Sequence, residues 1–326
     1  MEFGLFVNTQ QSTGGDPAEL VDELVSHTRR ARESGFDLVM TGQHYLTTDD
    51  KLQTIPVLSR LAAEAGSMAV GTGVLLLPLH HPVEVAEQLT TLDAIADRAI
   101  LGVGAGYRDT EFEGFGVPKA ERAARLEEGV ELVERLWTEE SVTYEGDHYR
   151  VEDATINPRP PEKPPVWVGA NVTSAVERAA RIGDRWFVGP QATLPTIRER
   201  KEPYDRIREA DGRSTAVSVL REAFVAETHE RAMDLVRDAL EYKYRHYRAN
   251  DLDDAMEDDS FSLDLEALAE DQFLVGTPAE VCAELERYER ECEVDTVLLR
   301  MHWPGLDHDL TRASIELAGD EVLPNV

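Results

Sequence analysis

The fold is decided by residues 70–82, VGTGVLLLPLHHP, and by a second stretch of the same kind, residues 100–107, ILGVGAGY. Each is a short apolar run that passes into glycine or proline, as a buried parallel strand does where it leads into a ligand-facing loop. Between them, residues 83–97 carry apolar side chains at helical spacing. The unit therefore predicts a strand, a helix and a strand with a right-handed connection.

Six further apolar runs have the length of buried strands. They occupy residues 3–8, 38–40, 166–169, 186–188, 216–225 and 296–300. Helical patterns separate most of them, and eight strands alternating with helices predict an α/β fold of the closed (β/α)8 TIM barrel type. We expect residues 1–326 to form one such domain, since this length fits a single barrel.

Two segments interrupt the alternation. Residues 142–151 alternate around a Glu-Gly-Asp turn, which predicts a β-hairpin insertion at about 141–152. Residues 251–271 are acidic and weakly periodic, and we interpret them as a late excursion or lid rather than a domain.

The formal net charge is −31, from 64 acidic and 33 basic side chains, of which only five are lysines. A nucleic-acid partner is excluded, because such binding requires clustered positive charge. A surface so acidic and so poor in lysine is typical of a halophilic protein, in which molar salt screens the repulsion between carboxylates.

The sequence carries no signal for export or for a membrane. No apolar run is long enough to span a bilayer, and the first strand begins at Phe3 without a basic leader. Cys282 and Cys292 are ten residues apart in a helical pattern, which suits packing better than a disulfide. We expect a cytoplasmic protein.

In a barrel of this type the site lies at the carboxyl ends of the strands. The residues there include neither a pair of carboxylates, nor a set with metal-ligand spacing, nor a nucleophilic serine motif, so no metal site is predicted. His302 and His308 are interpreted as part of a rim or interface loop. His44, after the second strand, is the first residue there with acid–base chemistry.

Glycine is what distinguishes these strand ends. Gly73, Gly104 and Gly106 lie on neighbouring strands, and backbone without side chains allows a flat ring to approach closely. Residues 170–174 begin the helix after the fifth strand, where free N–H groups and hydroxyls predict a phosphate seat. Arg122 is placed to neutralise part of the phosphate charge. A ring site and a phosphate site on one barrel face predict a flavin.

The same residues carry a resemblance to a known family. The chain resembles the bacterial-luciferase-like flavin-dependent monooxygenases and reductases over nearly its whole length. The motifs that carry the resemblance are residues 70–82, residues 101–107, the pair Glu111-Phe112, residues 115–118 and residues 276–281.

The resemblance implies a barrel that binds FMN or its deazaflavin analogue, coenzyme F420. It also implies a homodimer. It implies a non-proline cis peptide between Gly73 and Val74, and proton transfer by His44. Gln43 departs from the family pattern, in which many relatives carry glutamate. The cofactor-binding residues we predict are Gly73, Val74, Leu76, Gly104, Ala105, Gly106, Tyr107, Arg122, Asn171, Thr173, Ser174 and Trp186.

The function expected first is an FMN-dependent monooxygenase that acts on a small organic substrate. Its electrons would come from NAD(P)H or from a partner flavin reductase. The alternative is an F420-dependent reductase or dehydrogenase, which transfers hydride without oxygen. A third hypothesis is a flavin-binding barrel without catalysis.

Overall fold

The computed structural model of the chain describes the backbone of residues 1–249 and 271–326, and the side chains of all of these except 246–249. The predicted excursion at 251–271 lies outside the described residues apart from Asp271. The strands are β1 (Glu2–Phe6), β2 (Gln10–Gln11), β3 (Leu38–Thr41), β4 (Asp50–Lys51), β5 (Ala69–Thr72), β6 (Ala99–Val103), β7 (Val142–Glu145), β8 (Arg150–Ala154), β9 (Val166–Gly169), β10 (Arg185–Val188), β11 (Val217–Val225), β12 (Phe273–Gly276) and β13 (Val294–Arg300).

The helices surround the strands and follow most of them in the chain. They are α1 (Pro17–Glu33), α2 (Thr54–Ala65), α3 (Pro82–Ala96), α4 (Asp109–Phe115), α5 (Arg122–Thr138), α6 (Thr173–Ile182), α7 (Leu194–Ala210), α8 (His229–Ala249), α9 (Pro278–Cys292) and α10 (His308–Glu321). None of the helices in the described ranges combines the length and apolar character that a membrane span requires.

A closed parallel barrel is the centre of the fold. Its strands follow the order β1, β3, β5, β6, β9, β10, β11 and β13, and β13 pairs with β1 to complete the ring. The eight predicted strands are these eight, so the predicted TIM barrel is confirmed. The predicted hairpin is also confirmed, because β7 and β8 pair antiparallel. The structure describes one chain, so the expected homodimer stays a prediction.

A further parallel strand lies beside the barrel and was not predicted. The first six residues of β11 pair with β13, whereas its last four, from Glu222, pair with β12. The strand β11 is nine residues long, longer than its partners in the barrel. It therefore extends past the barrel rim and offers a second edge to the short apolar run of β12.

The barrel strands have two buried faces. Side chains such as Phe6, Met40, Phe187 and Leu298 fill the barrel interior. The alternate positions pack against the helices in one continuous core. Because both faces are buried, the sequences of these strands are continuous apolar runs and do not alternate between apolar and polar residues.

Arg221, on β11, is fully buried and holds the loop after β10 in place. Its guanidinium donates hydrogen bonds to the carbonyl oxygens of Gly189 (3.1 Å) and Ala192 (2.9 Å) and to the hydroxyl of Tyr288 (2.7 Å). Buried carbonyls need such donors, because an unsatisfied one costs about 1–3 kcal/mol. The loop at 189–192 therefore depends on this one side chain.

We predict that Arg221→Met lowers the free energy of unfolding by about 3 kcal/mol or more, since several buried acceptors lose their donor together. Urea unfolding in molar KCl measures the change. The exposed Arg231→Met, on α8, is the control and should stay within about 0.5 kcal/mol of the parent. A loss below about 1 kcal/mol for Arg221→Met would contradict the role assigned to it.

Candidate active site

One cavity opens at the carboxyl ends of the barrel strands, with a volume of about 830 Å³. Its lining comes from the loops after β1, β3, β5, β6, β9 and β10 and from helices α5, α6 and α8. Eleven of the thirteen predicted site residues line it. These are His44, Gly73, Val74, Leu76, Gly104, Ala105, Gly106, Tyr107, Arg122, Asn171 and Ser174.

The floor of the cavity is made at the ends of β5 and β6. The peptide between Gly73 and Val74 is cis, as the resemblance implies. The backbone N–H of Gln43 donates to the carbonyl of Val74 (3.0 Å). A methyl group at Gly104 would lie 2.7 Å from Cγ2 of Val74, so this approach requires glycine. Bare backbone and one apolar side chain thus leave a flat surface that suits a planar ring.

His44 lies at the cavity wall and is bonded to a buried carboxylate. Its Nδ1 is 3.0 Å from Oε1 of Glu111, a fully buried residue on α4. A carboxylate only accepts hydrogen bonds, so Nδ1 carries the proton and Nε2 keeps its lone pair. Burial lowers the pKa of His44, although Glu111 opposes this effect. Neutral His44 is therefore the form present at neutral pH.

Glu111 is itself fixed by groups from two loops. Its Oε1 accepts a hydrogen bond from the backbone N–H of Tyr45 (2.9 Å) and lies 3.5 Å from the guanidinium of Arg108. These contacts fix the carboxylate against the imidazole. Glu111 belongs to a motif that carries the family resemblance, but the sequence did not show that it contacts His44, which is 67 residues away.

Gln43 does not contact the ring of His44. Its Oε1 accepts hydrogen bonds from the backbone N–H of Leu76 (3.0 Å) and pairs with Nε2 of His80 (2.9 Å), and its amide donates to the hydroxyl of Tyr45 (2.9 Å). The side chain therefore orders the cavity wall. The departure from glutamate at this position leaves the protonation of His44 to Glu111.

The first group of positive side chains in the lining, which we call the α5–α6 cations, consists of Lys119, Arg122 and Arg178. They lie just before α5, at its start and on the neighbouring helix α6. The N-cap of α6 is Val172, whose side chain cannot accept a hydrogen bond from the first N–H groups of the helix. Lys119 lies 2.8 Å from a carboxylate oxygen of Asp109, and Arg178 lies 2.6 Å from one of Glu127. Cations beside an uncapped helix start are features that suit a phosphate.

The second group, which we call the Arg300 cations, consists of Lys51, Lys243 and Arg300, and none of them was predicted. The buried carboxylate of Glu222 contacts Lys243 and lies 3.3 Å from Arg300. Lys51 donates to the hydroxyl of Thr9 (3.0 Å). Burial, with the nearby charge of Arg300 second, lowers the pKa of Lys51 to about 8. Glu222 thus offsets part of the charge of Lys243 and Arg300, whereas the carboxylate that acts on Lys51 is Glu111.

The charge of the lining is opposite to that of the chain. Six of the lining side chains are Lys or Arg, and none of the lining residues in the described ranges is Asp or Glu. The five lysines of the chain are Lys51, Lys119, Lys163, Lys201 and Lys243, and three of them line this cavity. The scarcity of lysine was visible in the sequence, but the convergence of the lysines was not.

Two predicted residues lie elsewhere. Trp186, which the sequence analysis places among the cofactor-binding residues, does not line the cavity. Its indole N–H donates to the carbonyl of Ala170 (2.9 Å), and its ring packs against Tyr204 in the layer between β10 and the helices. Successive residues of a strand point to opposite faces, so Phe187 lines the cavity instead. Thr173 is the first residue of α6 and does not line the cavity, although Val172 and Ser174 on either side of it do.

The sequence model described as luciferase-like monooxygenase matches residues 1–292. The chain is 40% identical over 173 residues to the F420-dependent glucose-6-phosphate dehydrogenase of Intrasporangium calvum, which covers 50% of this chain and 52% of that protein. It is 30% identical over 324 residues to the protein of the same name from Nakamurella multipartita, and this match covers 95% of this chain and 93% of that protein. The chain thus spans about half the length of the first relative and nearly all of the second.

The fold also matches solved structures. The monooxygenase RslO1 from Streptomyces bottropensis superposes with a TM-score of 0.88 at 24% identity, and the match covers 99% of both chains. At this identity the likeness concerns the fold alone. The barrel, its insertion and its helices are therefore those of a known structural family.

We predict that Glu111→Gln lowers the pKa of His44 further, because the neutral amide no longer favours the charged imidazole. The midpoint of proton uptake by His44, followed by NMR of the imidazole ring, should move to lower pH. Glu113→Gln, which changes an exposed residue of the same helix, should leave the midpoint in place. An unchanged or higher midpoint in Glu111→Gln would show that the carboxylate does not control His44.

Proposed function

The chain belongs to the luciferase-like monooxygenase family, and from this premise we propose that it transfers a hydride between coenzyme F420 and a small hydroxylated substrate that carries an anionic group. The observation that carries the proposal is the cavity lining, which holds six Lys or Arg and, within the described ranges, no Asp or Glu. In a chain with 64 acidic side chains, this segregation favours anionic ligands.

The names of the relatives support an oxidoreductase rather than a barrel without catalysis. They also favour F420 over FMN, because the relatives at 40% and 30% identity are both named F420-dependent dehydrogenases. From the sequence alone FMN is expected first and F420 is the alternative, and the names of the relatives reverse this order. Hydride exchange with F420 requires neither oxygen, NAD(P)H nor a reductase, so those expectations belong to the FMN monooxygenase, the rival proposal.

The residues of the cavity fit a deazaflavin. The ring would lie against the bare backbone at Gly73 and Gly104 and against Val74, where a side chain at position 104 would collide. The α5–α6 cations and the start of α6 would hold the phosphate, and F420 adds carboxylates beyond it that FMN lacks. When bound, this cofactor supplies a ring that accepts or donates a hydride.

His44 is the residue that handles the proton. With Nδ1 bonded to Glu111, its Nε2 is the acceptor for the proton of a substrate hydroxyl when the carbon is oxidised. In the reverse direction the same nitrogen returns the proton to the carbonyl oxygen. Glu111 stabilises the imidazolium that forms in between, and it fixes the tautomer.

The Arg300 cations supply the second anion site. Glu222 offsets part of their charge, and among the ion pairs of the described residues none includes Lys51. A carboxylate or phosphate on the substrate would therefore meet positive charge beside Lys51. Because the pKa of Lys51 is about 8, the attraction should weaken as the pH rises through that value.

The proposal is tested by an anaerobic assay of F420 absorbance with the F420-loaded protein in molar KCl. Sugar phosphates, hydroxy acids and neutral alcohols serve as substrates. We expect turnover with anionic substrates, a fall in kcat of about 10²-fold or more in His44→Ala, and a KM at least about tenfold higher in Lys51→Met.

The control is His148→Gln, which changes a histidine of the hairpin loop that does not line the cavity. It should retain the parent kcat and KM. Oxygen consumption by the FMN-loaded protein, without reduction of F420 by any of these substrates, would favour the monooxygenase and refute the proposal. Equal KM values for anionic substrates in Lys51→Met and the parent would refute the anion site alone.

A further inference from the structure

A cluster of histidines lies outside the cavity, between the first and last helices of the barrel. Glu23 and His27 are four residues apart on α1 and so share one face of the helix. His308 is the first residue of α10, and His302 lies in the loop after β13. None of these four residues lines the cavity, so the cluster has no part in the proposed hydride transfer.

The side chains of this cluster converge on one point. Nε2 of His27 is 3.4 Å from Nδ1 of His308, and Oε2 of Glu23 is 3.9 Å from the same Nδ1. The ligand atoms of the three residues all lie within 4.8 Å of one another. Three donor atoms from two helices therefore lie close enough together to share one ion.

We propose that Glu23, His27 and His308 bind one transition-metal ion of the Zn²⁺ class, which fastens α1 to α10. Two nitrogens bound to Zn²⁺ at about 2.0–2.1 Å in a tetrahedron lie about 3.4 Å apart, and the two imidazole nitrogens are already at this separation. The carboxylate oxygen lies 3.9 Å from Nδ1 of His308 and must move closer to complete the set. Two imidazoles and one carboxylate form a donor set that zinc uses.

His302 extends the cluster. Its ring stacks on that of His308 with 4.3 Å between the centroids, and lies 5.4 Å from that of His27. It is 6% exposed, and its Nδ1 has no hydrogen-bond partner among the described residues. A buried nitrogen without a partner is uncommon in a folded protein. His302 lies beside the cluster but is not one of the three residues whose donor atoms lie within 4.8 Å of one another.

One further residue contacts the carboxylate of the cluster. The guanidinium of Arg312 contacts the carboxylate of Glu23 and the hydroxyl of Ser26. Metal-binding carboxylates are usually held by such an outer partner.

The sequence pattern did not reveal this group. His302 and His308 were interpreted as loop residues, and His27, which joins them in the cluster, is 281 positions from His308 in the chain. The only local sign is the Glu23 and His27 pair at helical spacing. The barrel brings α1 and α10 side by side and so completes the set.

The test is the binding of Zn²⁺, and separately of Co²⁺, to the metal-stripped full chain without an affinity tag, in molar KCl. We expect one Zn²⁺ per chain, a thermal midpoint that rises with Zn²⁺ concentration, and Co²⁺ absorption bands of a four-coordinate site without thiolate charge transfer. His308→Ala and Glu23→Ala, which change partly exposed residues, should each bind at least about tenfold more weakly.

His229→Asn is the matched control, since this exposed histidine beside Glu280 lies outside the cluster. It should bind Zn²⁺ as the parent does. Folded parent chain that takes up no more Zn²⁺ than His308→Ala would show that His27 and His308 share only a hydrogen bond, and would overturn the proposal. Binding that survives in both variants would place the ion elsewhere and overturn it equally.

Discussion

Positive charge that collects in one cavity of a strongly acidic chain is the constraint on which the rest of this account depends. The chain carries a formal net charge of −31, yet the described lining of the cavity contains six Lys or Arg and no carboxylate. Cations near one another repel, and they are tolerated where a buried carboxylate or a ligand compensates them. Asp109, Glu127 and Glu222 compensate part of this charge through ion pairs with Lys119, Arg178, Lys243 and Arg300, and anionic ligands would compensate more of it.

The barrel supplies the positions at which this charge acts. Strand ends bring Gly73, Gly104 and His44 to one face, while the helices bring Arg122 and Arg178 to the rim of the same cavity. The close approach of Val74 to Gly104 leaves no space for a side chain at position 104. The proposed site for a charged planar cofactor and a charged substrate rests on an apolar floor, a neutral histidine and two groups of cations.

Local features of the structure could be predicted from the sequence, whereas contacts across the fold could not. The eight strands and the hairpin follow from apolar runs and turns, and the cis bond at Gly73 follows from the family motif. The partner of His44, the Arg300 cations and the histidine cluster join residues that are far apart in the chain. The expected place of Trp186 in the cavity differs from the structure for another reason, because a shift of one position along a strand moves a side chain to the opposite face.

The acidic composition also determines how the protein should be studied. At 1 M salt the Debye length is about 3 Å, so the repulsion between surface carboxylates is screened while buried contacts persist. Halophilic behaviour stays a prediction. The most direct test of the central claim is an equilibrium titration of the cofactor-free chain with F420 and with FMN in molar KCl, on the parent, Arg122→Gln and Arg125→Gln. The account predicts that F420 binds at least about tenfold more tightly than FMN, and that only Arg122→Gln weakens it, since Arg125 pairs with Glu121 and does not line the cavity. Equal or tighter binding of FMN, or equal losses in the two variants, would contradict it.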